Sequence, residues 1–143
     1  MTAIVAAAIV TGCSTTDESP VPVACKSTPE SVRRALRSAP EPVTLDGTPI
    51  SDCFTRAGDP GDIQAMGIAF TETAADLSGP ARAAPGGEAA VQLGYLVGAV
   101  REGASGTQGI HDELARRVEQ ELSGVDTRSN AFATGERAGR ESG

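Results

Sequence analysis

The chain has 143 residues, a formal net charge of -7 and 3% aromatic residues, which suffices for one modest hydrophobic core. No basic stripe offsets the acidic balance, so the composition argues against binding to nucleic acid and against electrostatic attraction to anionic lipid. With one histidine and three cysteines, assigned to other roles below, the chain cannot assemble the three nitrogen or sulfur ligands of a zinc site. We therefore predict neither a metal nor a cofactor.

An apolar run opens the chain, from residue 3 to residue 10. It has the length of a signal-peptide hydrophobic region and is too short to span a bilayer, which needs roughly 20 apolar residues. Directly after it comes Val10-Thr11-Gly12-Cys13, an aliphatic residue and two small residues before a cysteine.

The segment resembles the lipobox of bacterial lipoproteins, in which the cysteine thiol receives a diacylglyceryl chain and the leader is cut off before it. The resemblance implies that residues 1–12 are a signal peptide, and that Cys13 is lipidated and becomes the first mature residue. The protein would then be lipid-anchored on the extracytoplasmic face of a cell membrane. Residues 1–3 lack the basic residues that begin such leaders, which we interpret as a start codon assigned too far downstream. The alternative is a soluble protein with an apolar N-terminal strand or helix and a free cysteine.

Residues 13–24 are predicted to form a flexible tether. Hydroxyl, acidic and proline residues alternate here without a helical or strand period, so the segment cannot bury enough apolar area to order itself. Such a spacer allows a folded domain to clear the lipid headgroups. The folded domain is then expected over residues 25–143.

Lipidation of Cys13 leaves Cys25 and Cys53, an even number in a compartment where thiols oxidise. We predict a disulfide between them. In the chain-entropy model, closing a loop of nearly thirty residues stabilises the fold by roughly 3 to 4 kcal/mol. If the leader prediction fails, two buried free thiols become the better interpretation.

A short helix and a hairpin are predicted around this disulfide. Thr28 is a suitable N-cap before Pro29 at the first helical position, and the prolines at positions 40 and 42 end the helix. Its apolar face consists of Val32, Ala35, Leu36 and Ala39. Asp46-Gly47 then predicts a two-residue turn in a weak edge hairpin that extends to Cys53.

Three longer helices are predicted after residue 58. Asp59-Pro60 begins the first, and Gly79-Pro80 ends it. The second, residues 88–101, is apolar on almost every side, which is typical of a buried central helix. The third covers residues 108–122, with Thr107 as its N-cap. The apolar stripe of the first helix consists of Ile63, Met66, Phe70, Ala74 and Leu77. The apolar stripe of the third helix consists of Ile110, Leu114, Val118 and Leu122. On the outer face of the third, the acid-first spacing pairs Asp112 with Arg116 and Glu113 with Arg117.

Gly94 and Gly98 form a GxxxG spacing in the central helix. Because a mid-helix glycine costs roughly 1 kcal/mol relative to alanine, close packing is expected to offset it. We expect that packing against the stripe of residues 63–77; a homodimer face is the alternative. The tail, residues 127–143, is predicted to be a weak helix that frays.

The predicted fold class is therefore mainly α: a small bundle of about four helices with a short N-terminal hairpin and one disulfide. The sequence offers few groups for catalysis. His111 begins a helix before Asp112 and Glu113 and could act as a general base, but a solvated first-turn residue is the expected role. The glycine-rich residues 103–109 lack the lysine and the strand of a phosphate-binding loop. Three arginines on the first helix could hold an anion or form a solvated face: Arg33, Arg34 and Arg37.

Two function classes remain. The first is a lipid-anchored envelope lipoprotein, not an enzyme, that displays a small helical binding or structural module to an envelope protein partner. The alternative is a small extracytoplasmic enzyme that uses His111 as a general base. The binding class predicts an exposed apolar patch.

Overall fold

The computed structural model describes residues 20–55, 59–107 and 109–143. The lipobox with Cys13 and most of the tether lie outside the described residues, whereas the end of the predicted tether is ordered, since Val21 is buried and a 3₁₀ helix begins at Val23. The elements, in chain order, are a 3₁₀ helix Val23–Lys26, α1 Pro29–Leu36, β1 Thr44–Leu45, β2 Thr48–Pro49, α2 Ile50–Thr55, α3 Pro60–Ala83, α4 Glu88–Ala104, α5 Ile110–Gln120 and α6 Asn130–Ser142. The mainly α class, the hairpin and the disulfide are confirmed.

The N-terminal layer follows the predicted signals closely. The Thr28 hydroxyl accepts a hydrogen bond from the backbone N–H of Ser31 and caps α1. The antiparallel strands β1 and β2 join at Asp46 and Gly47, whose φ angles of 47° and 83° match the mirror-image turn that favours Asp-Gly. The hairpin is shorter than predicted, because residues 50–55 form α2 instead of continuing the second strand.

The disulfide joins the 3₁₀ helix to α2. Cys25 and Cys53 are both fully buried, and their Cα atoms lie 5.6 Å apart. The backbone N–H of Val43 donates a 2.9 Å hydrogen bond to the hydroxyl of Tyr95 on α4. The disulfide therefore links two elements of the N-terminal layer covalently. A buried hydrogen bond joins that layer to the central helix α4.

Helix α3 begins where predicted but ends later. The Asp59 carboxylate accepts a hydrogen bond from the backbone N–H of Asp62 at 2.9 Å. Gly79 and Pro80 do not stop the helix, which continues to Ala83. The last turn is held by the fully buried Ala81 and by Arg82, which donates to the Ser123 carbonyl oxygen at 2.8 Å. These contacts offset the one backbone hydrogen bond that a proline removes.

Helix α4 lies at the centre of the bundle, as its composition predicts. Every residue from position 92 to position 100 is buried, and α2, α3, α5 and α6 all pack against this helix. Among the described residues, no helix combines the length and the apolar character needed to cross a bilayer.

The glycines of α4 lie directly on the backbone of α6. A Cβ atom at Gly94 would overlap the carbonyl oxygen of Phe132, and one at Gly98 would overlap that of Glu136. The prediction of close packing inside the chain is confirmed, but the predicted partner, the stripe of residues 63–77, is wrong. Because α6 covers both glycines, a second copy of the chain could reach this face only by displacing α6.

Helix α6 corrects the expectation of a frayed tail. A Cβ atom at Gly135 would overlap the Val91 carbonyl oxygen of α4, and one at Gly139 would overlap that of Tyr95. Both helices therefore present glycine to the backbone of the other. The side chain of Phe132 is also buried. The Ser129 hydroxyl caps the helix by accepting a hydrogen bond from the backbone N–H of Phe132 at 3.2 Å. Backbone contact at four glycines, a buried ring and a cap explain why α6 packs as a core helix.

Candidate functional site

An open apolar groove of about 740 Å³ lies between α3 and α5. Its apolar lining consists of Pro60, Ile63, Gly67, Ile68, Ile110 and Leu114. Its polar lining consists of Gln64, Thr71, Glu72 and Arg117. Ligand sites in proteins typically have this volume and this mixture of apolar walls with a few polar groups.

The two helices that form the groove run in the same direction. In its middle, a Cβ atom at Gly67 would come within 2.6 Å of a methyl group of Leu114. Further along, Arg82 of α3 reaches the carbonyl oxygen of Ser123, just after α5. The start of α3 therefore lies beside the start of α5, and Glu72 and Arg117 lie at the other end of the groove.

Two isoleucines in the groove are exposed to a degree unusual for their size. Ile68 retains 48% of its accessible surface and Ile110 retains 45%. The sequence predicted Ile110 on the core stripe of α5, of which Leu114 and Val118 are indeed buried; Ile110 is instead exposed in the groove. Ile68 lies off the predicted stripe of α3, and an apolar residue outside a core stripe was the available signal for this surface.

The polar end of the groove carries opposite charges on its two walls. Glu113 binds Arg116 at 3.1 Å and Arg117 at 3.2 Å, so one carboxylate is shared by two guanidinium groups. The predicted pair between Asp112 and Arg116 does not form, because Arg116 contacts only the backbone carbonyl oxygen of Asp112. Arg117 alone of these two arginines lines the groove, opposite Glu72 of α3.

His111 is buried instead of solvated, which corrects the sequence expectation. It retains 8% of its accessible surface, and its Nδ1 atom has no hydrogen-bond partner among the described residues. Burial lowers the pKa of His111 below its ordinary value, against the opposing charge of Asp112. His111 lies four residues before Ala115 and seven before Val118, so it shares the helix face that these buried residues present to the bundle. Thr107 is not the predicted cap, since its hydroxyl donates to the Ala104 carbonyl oxygen.

A network of ion pairs joins α4, α5 and α6 away from the groove. Arg101 binds Glu119 at 2.5 Å and also Glu136, which in turn binds Arg140 at 2.5 Å. Burial works to raise the pKa of Glu136, but the hydrogen bond and charge of Arg140 and the charge of Arg101 outweigh it and lower that pKa. Burial likewise opposes the charge of Arg101, yet its two glutamates raise its pKa above the ordinary value. Arg101 and Glu136 are therefore held in their charged forms, and the network fixes α6 to its neighbours.

The other candidate residues do not converge on a site. Arg33 binds Asp76 of α3 at 3.1 Å, while Arg34 and Arg37 are exposed on α1. Within residues 20–55, 59–107 and 109–143, no three histidine, cysteine or acidic side chains gather as metal ligands would. The glycine-rich residues 103–107 form the end of α4 and a turn.

Comparison with known proteins finds no protein family, no curated protein and no solved structure that matches this chain.

Proposed function

We propose that this chain is a lipid-anchored cell-envelope lipoprotein whose helical domain binds a partner through the groove between α3 and α5. The observation that carries the binding role is the exposure of Ile68 and Ile110 on the two walls of one apolar groove. Contiguous apolar surface on a small domain is typical of interaction sites and ligand-binding grooves. Ile68 and Ile110 line the same groove, so they form one apolar surface instead of two scattered exposed side chains.

The anchor is supported by the lipobox-like residues 10–13 and by the disulfide. A disulfide in a small domain fits an oxidising compartment outside the cytoplasm, where a lipoprotein anchored at Cys13 would be displayed. The net charge of -7 gives the domain no electrostatic attraction to anionic lipid. Membrane association would therefore depend on the lipid.

The alternative function, an enzyme with His111 as general base, gains no support from the position of that side chain. A general base must come within hydrogen-bond reach of a substrate proton. His111 is buried, does not line the groove and has no carboxylate hydrogen-bonded to it among the described residues.

The proposed anchor is tested by the intact mass of the protein extracted from membranes of its native host, before and after reduction. We expect a chain that begins at Cys13, carries acyl groups and gains two hydrogens on reduction. The Cys13→Ser variant is the matched control and should remain unacylated. An unmodified natural chain, recovered from the soluble fraction with Met1 and three free thiols, would contradict the proposal.

A further inference from the structure

We propose that the groove between α3 and α5 binds the single acyl chain of a zwitterionic lysophospholipid, with the headgroup between Arg117 and Glu72. This inference rests on the proposed binding role of the groove and names its ligand class. It is carried by the dimensions of the groove, by the chemistry of its walls and by the charges at its polar end.

The length and lining of the groove suit an acyl chain. The wall of α3 runs from Pro60 to Glu72, about 18 Å at the helical rise per residue, and the wall of α5 runs from Ile110 to Arg117, about 10 Å. A membrane acyl chain spans one leaflet, about 15 Å of a bilayer whose hydrocarbon core is roughly 30 Å thick. The apolar part of the wall is aliphatic, with three isoleucines and one leucine and without an aromatic ring. Such a surface accepts a flexible methylene chain without imposing a planar shape on it.

A helical peptide is the alternative occupant, since a helix docks by laying one apolar face into such a groove. Gly67 and Leu114 already touch in the groove floor, which leaves less room for the side chains of a docked helix than for a chain of methylene groups. An acyl chain in the groove would cover the exposed area of Ile68 and Ile110.

The headgroup is inferred from charge complementarity. Arg117 presents its guanidinium group to the groove, and the Glu113 carboxylate that it binds is shared with Arg116. On the facing helix, Glu72 is exposed and forms no ion pair among the described residues. A phosphate beside Arg117 and an ammonium beside Glu72 satisfy both walls. A fatty-acid carboxylate would satisfy Arg117 but leave Glu72 facing a like charge.

The test is calorimetric titration of the full-length Cys13→Ser chain with myristoyl-lysophosphatidylethanolamine below its micelle concentration. Cys13→Ser keeps an attached acyl chain from competing for the groove. We expect saturable binding of one lipid, and binding weaker by about tenfold or more in the double variant Ile68→Gln, Ile110→Gln. Val23→Gln is the matched control, because Val23 is 82% exposed and does not line the groove. If the Cys13→Ser chain binds the lipid with the same affinity with and without the double substitution, the proposal is overturned.

The headgroup assignment is tested by two matched pairs. Arg117→Gln should weaken lysophospholipid binding by about fivefold or more, because a charged hydrogen bond is lost. Arg34→Gln should not weaken it, since Arg34 is exposed on α1 and does not line the groove. Glu72→Gln should weaken binding of the lysophospholipid but not of myristate. Equal effects of the two arginine variants, or stronger binding of myristate than of the lysophospholipid, would overturn the headgroup assignment.

The mass measurement and this titration can fail separately. Lipid binding by a chain that is never acylated would leave the groove assignment standing and remove the anchor. The protein could also be acylated, bind neither the lysophospholipid nor myristate, and bind an amphipathic helical peptide in the groove. This result would support the anchor and would overturn the lipid ligand in favour of a protein partner.

Discussion

Two helix pairs of the same bundle, α4 with α6 and α3 with α5, are packed in opposite ways. In the first pair, four glycines bring the two backbones into direct contact, and an ion-pair network fixes the ends. In the second pair, one glycine meets the tip of one leucine, and isoleucines on both walls remain half exposed. Small residues on both helices close a helix pair, whereas large aliphatic residues on both helices hold it apart and leave a groove.

The largest expected effect lies in the closed pair. Gly139→Ala should destabilise the chain by about 3 kcal/mol, because its Cβ atom meets the carbonyl oxygen of Tyr95, which cannot move without shifting α4. Gly86→Ala is the matched control. Gly86 lies in the turn before α4, a Cβ atom there would meet no heavy atom of the rest of the chain within 4 Å, and the substitution should change stability by less than about 0.5 kcal/mol. Urea unfolding measures both. Similar effects at the two positions would contradict the close approach of α6.

The ion-pair network contributes less. Glu136→Gln should cost about 1 to 2 kcal/mol near neutral pH, because two guanidinium groups lose their shared carboxylate. The lowered pKa of Glu136 means that its contribution is complete above the unfolded pKa of about 4.3 and is lost as the pH falls through the folded pKa. Urea unfolding at neutral and acidic pH should show the cost shrinking below about pH 4. The exposed Glu141→Gln is the control and should change stability by less than about 0.5 kcal/mol.

In the open pair, the corresponding substitution is Gly67→Ala, which should cost less stability than Gly139→Ala. Gly67→Ala places a Cβ atom 2.6 Å from a methyl group of Leu114, which is the end of a flexible side chain and can rotate away. We expect a cost of about 1 kcal/mol, well below that of Gly139→Ala. The two variants are compared in one series of urea unfolding curves. A cost at Gly67 equal to that at Gly139 would mean that α3 and α5 are packed as tightly as α4 and α6.

His111 makes the free energy of unfolding of the chain depend on pH. Its pKa is lowered in the folded chain, so the unfolded chain binds the proton more readily and stability should fall as the pH drops below about 6.5. His111→Leu should remove this part of the acid dependence and change stability near neutral pH by less than about 1 kcal/mol. Unfolding midpoints between about pH 7.5 and pH 5 measure the slope. A slope identical in the natural chain and the variant would show that His111 is not protonated on unfolding.

The smallest stability effect belongs to the groove surface. The double variant Ile68→Gln, Ile110→Gln should change the free energy of unfolding by less than about 1 kcal/mol, since both side chains are already half exposed. Urea unfolding checks this value. A loss of several kcal/mol would place the two isoleucines in the core and remove the basis for a binding surface.

Local chemistry made much of this fold predictable. Thr28 and Asp59 as caps, Asp46-Gly47 as a turn and residues 88–101 as a central helix all depend on short-range rules, and all appear in the structure. The disulfide followed from parity and compartment. The rest depends on which faces meet, and no local rule contains that information.

The errors show the same limit. Gly135 and Gly139 repeat the spacing of the glycines in α4, but spacing alone does not pair one helix with another. The sequence therefore predicts a frayed tail where the structure has a packed helix. Helix α5 starts two residues later than predicted, and His111 lies on its buried face, which its position beside Asp112 and Glu113 in the first turn does not indicate. The groove was predicted only as an exposed apolar patch, because its walls come from helices about fifty residues apart in the chain.

Hydrogen exchange of the backbone amides, with and without myristoyl-lysophosphatidylethanolamine, tests the contrast between the two helix pairs most directly. We expect the amides of α4 and α6 to exchange slowest and together, through global unfolding, with no change on addition of lipid. The amides of α5 should exchange faster in the free chain and slow down when lipid fills the groove. Early exchange of α6 independent of α4, or lipid protection confined to α6, would contradict the account.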